Sequence, residues 1–105
     1  MNPLNSEIIV AAFNALAYVI GFCHKSHVKC YGTITPDGNS AYFFVDEPGM
    51  FTPWEIRSLY LDSATLEDVL NYRDQLMVWL DENISAWKAA RVAELERELN
   101  KLIRK

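Results

Sequence analysis

Glycine, proline, cysteine and histidine are all scarce in this sequence: four, four, two and two among 105 residues. Two cysteines, Cys23 and Cys30, are too few for a disulfide framework. They read as reduced thiols in a cytoplasmic protein. There is no glycine-rich phosphate loop, no paired catalytic carboxylate motif and no Ser-His-Asp signature. The sequence therefore predicts no enzyme and implies no cofactor. Low-complexity tracts and internal repeats are also lacking. The longest apolar run, residues 8 to 22, is interrupted only by Asn14. It would form ~22 Å of helix against a hydrocarbon core of ~30 Å, too short to span comfortably. No basic side chain precedes the run and Glu7 does, which argues against a signal peptide. The expectation is a buried core helix and no membrane.

What is present is globular in character: half of the residues are apolar and 23% charged, in a chain of the common single-domain size. Residues 1 to 105 are read as one domain. The net charge is −4 and unevenly placed. Residues 37 to 82 hold ten acids against two bases, and residues 88 to 105 hold six bases against three acids. The acidic middle repels nucleic-acid phosphate, so nucleic acid is an unfavourable partner except at the basic end.

Local signals predict an α+β fold. An apolar helix over residues 6 to 22, with Asn5 or Ser6 as N-cap, is followed by a hairpin. Its strands cover residues 28 to 35 and 41 to 45, joined through the type I turn Thr35-Pro36-Asp37-Gly38. The apolar first helix is expected to be covered on more than one side. Residues 46 to 49 make a second turn. Thr52, Pro53 and Glu55 then have the pattern of a capping box, with Phe51 and Ile56 as a hydrophobic staple. A short capped helix over residues 53 to 60 is expected. Thr65 caps the last helix, with Glu67 and Asp68 in its favourable first turn.

No glycine or proline occurs after Thr65, so that helix is long. Leu66, Leu70, Arg73, Met77, Leu80, Ile84 and Trp87 form a heptad-like stripe. Val92, Leu95, Leu99 and Leu102 continue it on a displaced line. The alternative is a break near residues 83 to 85. If unbroken, the helix spans ~60 Å, more than a compact body with a radius of gyration of ~13 Å can bury. Residues 88 to 105 are thus expected to project or to be packed by a partner. That partner is either a second copy, giving a homodimer through the C-terminal helix, or another protein.

Thirteen aromatic residues are more than a small core readily buries, and Trp and Tyr are typical interface anchors. The candidate partner-binding residues are Phe44, Phe51, Trp54, Trp87, Val92, Leu95, Leu99 and Leu102. Cys23, His24, His27 and Cys30 are zinc-type ligands crowded into eight residues, without a distant second half. The competing reading is a helix C-terminus with bases at the negative dipole end and a buried Cys30. The functional expectation is a non-enzymatic binding protein, a phage- or plasmid-type accessory factor that inhibits or redirects a host protein complex. The alternatives are a nucleic-acid-associated protein using the basic C-terminal helix, and a small metal or thiol protein using Cys23, His27 and Cys30.

Overall fold

The computed structural model describes residues 6–104. The first helix, α1 (Ser6–Lys25), runs one turn beyond the expected end. Its stop is a Schellman-type closure: the Val28 N–H donates to the Cys23 carbonyl at 2.9 Å and the His27 N–H to that of His24 at 3.1 Å. His27 takes the left-handed conformation this closure needs, with φ 57°. Asn5, the alternative N-cap, lies outside the described residues. At 20 residues α1 has the length and composition of a membrane-crossing helix, so the argument from its shortness does not hold. In this fold it packs through Ile8, Ala12, Ala15, Leu16, Val19 and Cys23. Val10, Phe13 and Tyr18 on the far side are exposed. Among the described residues α1 is contacted chiefly by α2, β1 and β2, and its buried side chains fall on one face, so the expected cover on a second side is not seen there.

The strands β1 (Cys30–Ile34) and β2 (Ser40–Val45) form the expected antiparallel hairpin, with Cys30 opposite Val45 and Ile34 opposite Ala41. Its turn closes by the Gly38 N–H donating to the Thr35 carbonyl at 2.8 Å. Asp37 accepts from the Thr35 hydroxyl at 2.6 Å and from the Asn39 N–H at 3.0 Å. Those bonds hold the Asp37 carboxyl below the usual aspartate range, the Thr35 hydroxyl contributing most.

The short capped helix is replaced by two other elements. Only a single 3-10 turn forms, at Trp54–Ile56, and no side chain caps it. A third strand, β3 (Ser58–Tyr60), then pairs antiparallel with β2, giving the sheet order β1-β2-β3. Thr52 does not cap because its hydroxyl is used elsewhere: it accepts from the Val45 N–H at 2.8 Å, in the core at 1% exposure. The open edge of β2 offers residues 58 to 60 backbone partners that a lone helical turn could not supply.

The last helix, α2 (Leu66–Ile103), is one unbroken element of 38 residues, or ~57 Å. Thr65 caps it in a reciprocal box with Asp68, whose carboxylate accepts from the Thr65 N–H at 2.9 Å. Its core face is Val69, Tyr72, Leu76, Leu80 and Ile84: Leu80 and Ile84 belong to the expected stripe and Met77 and Trp87 pack beside them, whereas in the first turns the buried face lies one residue around and Leu66 and Leu70 are exposed. A heptad line presumes a single facing helix. Here α2 meets α1, with the 3-10 turn as a further neighbour, and a broader, rotated face is buried. The Tyr72 hydroxyl donates to the Arg57 carbonyl at 3.0 Å, and burial pushes its phenol up. The core thus lies between one face of the sheet (Ala41, Phe43, Val45) and the two helices.

Candidate protein-docking surface

The core side of α2 ends at Ile84. One turn later, half-buried Trp87 donates its indole N–H to the Pro48 carbonyl at 2.9 Å. This bond ties α2 to the second turn, where Gly49 at φ 86° passes beside the indole. Trp87, a candidate anchor for a partner, is therefore already engaged within the chain. From Lys88 to Arg104 every residue is exposed. The molecule is accordingly elongated, 70 × 22 × 21 Å, with a radius of gyration of 17.5 Å against ~13 Å for a compact chain of this size. Val92, Leu95 and Leu99 are each a little over half exposed, and Leu102 and Ile103 about 70%. The bases of this segment alternate with three glutamates, and Arg91 pairs with Glu94 at 3.7 Å, which dilutes the positive field.

A second exposed surface lies beside the 3-10 turn. Phe51 and Trp54 are about three-quarters exposed. The Arg57 guanidinium stands 4.5 Å from the Phe51 ring centre and 5.7 Å from that of Trp54. Its Nε donates to the Thr52 carbonyl at 2.8 Å, which holds the cation over both rings. Next to this cluster, Pro53 and Ile56 face Val78 and Trp79 of α2 across an open groove of about 540 Å³, with Asp74 and Glu82 on its rim. Sequence reasoning missed this groove, since its walls come from separate parts of the chain. Phe44 is half-buried on the outer face of the sheet, its ring 5.4 Å from that of Tyr31 and 6.0 Å from that of Tyr42.

The four clustered metal-type residues separate into two kinds. Cys23 and Cys30 come together: a hydrogen bond between the thiols, helped by burial, raises Cys23, while the same bond lowers Cys30. Both are free. His24 and His27 are exposed, and His27 serves the helix stop. Among the described residues no three His, Cys, Asp or Glu side chains gather as a metal set. Cys23, His27 and Cys30 do not gather as such a set among the described residues. The cause is the left-handed turn, which sends the chain from α1 into β1 and brings only the cysteines together.

Comparison with known proteins finds no family model, no curated protein and no solved structure that matches the chain.

Proposed function

We propose that this is a non-enzymatic protein-binding protein, acting in a reducing cytoplasm, whose docking element is the projecting end of α2. One observation carries the reading: Val92, Leu95, Leu99 and Leu102 recur at coiled-coil spacing on a helix that leaves its own body and exposes them all. Burying such a side chain gives ~1.5–3 kcal/mol, and an apolar stripe of this extent marks an interaction site. The exposed Phe51 and Trp54, with Arg57 held over both rings, form a second surface of the hot-spot type. In this proposal a small body carrying two such surfaces acts as an accessory modulator, inhibiting or redirecting a larger complex.

The test is the variant Leu95→Lys/Leu99→Lys, compared with wild type by chemical cross-linking and mass spectrometry in the native cell. Both side chains lie outside the core, so thermal stability should stay within about 0.5 kcal/mol of wild type. Cross-links made through residues 88 to 104 should disappear. A variant that keeps all of them would remove α2 as the docking element.

A further inference from the structure

Resting on the reading that the end of α2 docks protein, we infer that its partner is a second copy of this chain, in a closed antiparallel dimer. The exposed tip of each α2 lies along the acid-rimmed groove of the other.

The sequence repeat on α2 points to this arrangement. Counted back in heptads from Val92, Leu95, Leu99 and Leu102, the same seam passes through Lys88, Ser85, Asp81, Val78, Asp74 and Asn71. Asn71, Asp74 and Val78 line the groove. Heptad positions drift by ~20° per repeat on a straight helix, so the tip and the groove become two stretches of one seam when the paired helices supercoil left-handedly, and a helix laid along one is then led onto the other. Antiparallel pairing centred between residues 86 and 87 sets Leu95 of one copy against Val78 of the other, with Val92 beside Asp81, Leu99 beside Asp74 and Leu102 beside Asn71. It also brings Glu82 level with the second copy's Arg91, and Asp74, which pairs with Arg73 of its own chain at 3.1 Å, within a turn of the second copy's Lys101.

Charge selects this direction. Residues 66 to 82 carry five acids and one base, whereas residues 88 to 104 carry five bases and three acids. Antiparallel helices place unlike halves together twice. Parallel helices joined at their tips place the two basic ends side by side, where like charges repel.

Area argues the same way. Pairing residues 71 to 102 overlaps the helices over ~48 Å, which at a helix width of ~10–12 Å covers a strip of about 500 Å² on each copy. The pair together reaches the ~1,000 Å² that a specific interface should clear. Tip-to-tip pairing over residues 88 to 103 overlaps only ~24 Å and covers about half as much. The reciprocal contact also closes: each copy offers the same two surfaces, so association stops at two.

The test is solution mass by light scattering behind size exclusion, on the full chain at low salt. Wild type should have twice the 12.1 kDa chain mass. Asp74→Lys/Glu82→Lys should raise the dimer dissociation constant at least ten-fold, and Arg91→Glu/Lys101→Glu should do the same. The four changes combined should recover most of the loss, since the complementary pattern is then rebuilt with signs exchanged. Circular dichroism of each variant verifies the fold. A monomeric wild type at 100 µM would overturn the dimer while leaving docking of a different protein by the same helix standing. A dimer that breaks with Leu95→Glu/Leu99→Glu yet ignores Asp74→Lys/Glu82→Lys would overturn the antiparallel arrangement in favour of tip-to-tip pairing. Failure of the combined variant to recover would overturn the charge argument.

Discussion

Thr52→Val separates the role the local sequence suggests for Thr52 from the role the fold gives it. Valine has the shape of threonine, so the substitution opens no cavity and its effect is confined to hydrogen bonding. The Thr52 hydroxyl is the acceptor for the Val45 N–H at 2.8 Å, in a position 1% exposed. Removing it leaves a buried amide donor without an acceptor, at a cost of ~1–3 kcal/mol. The extra buried methyl offsets part of this, by up to ~0.8 kcal/mol, for a net loss of roughly 1–2 kcal/mol. For a domain of about 100 residues each kcal/mol corresponds to roughly 4–8 °C in Tm. Thr52→Ser keeps the acceptor and loses one methyl, so it should cost about 1 kcal/mol. Thr52→Asp is the discriminating variant. An N-cap accepts aspartate as readily as threonine, whereas a carboxylate at this buried site carries a penalty of several kcal/mol. Urea unfolding followed by tryptophan fluorescence should rank aspartate far below valine. Valine within 0.5 kcal/mol of wild type, or aspartate equal to threonine, would refute the reasoning.

Two further outcomes follow from the helix stop and the hairpin turn. His27→Gly should stabilise the protein by about 0.5–1 kcal/mol, because glycine adopts the left-handed conformation at φ 57° without the Cβ clash; a thermal melt showing no gain would contradict it. Asp37 gives a pH dependence of known sign. Its folded pKa is depressed by the Thr35 hydroxyl and the Asn39 amide, so its contribution is complete at neutral pH and is lost as pH falls through and below the ordinary aspartate range. The Tm gap between wild type and Asp37→Asn should therefore close on acidification, and a gap that widens would reverse the assignment.

What the sequence determined by itself is what neighbouring residues settle between them. The Thr35 to Gly38 turn and the Thr65 cap depend on bonds spanning two to five residues. The length of α2 follows from the lack of glycine and proline after Thr65. Its exposed end follows from that length, since ~57 Å of helix cannot lie against so small a body. The exposed apolar stripe of Val92, Leu95, Leu99 and Leu102 was legible for the same reason.

The tertiary structure decided wherever partners lie far apart in the chain. Thr52 has the local pattern of a cap, but the Val45 amide claims its hydroxyl and leaves the turn at Trp54–Ile56 uncapped. Residues 58 to 60 become a strand because β2 presents an open edge to them. Trp87 looks free in the sequence and is held by the Pro48 carbonyl. The groove exists only because Pro53 and Ile56 are carried to Val78 and Trp79. Periodicity states that a helix has an apolar side; which side is covered, and which is left exposed, depends on where α1 and the sheet come to rest against it.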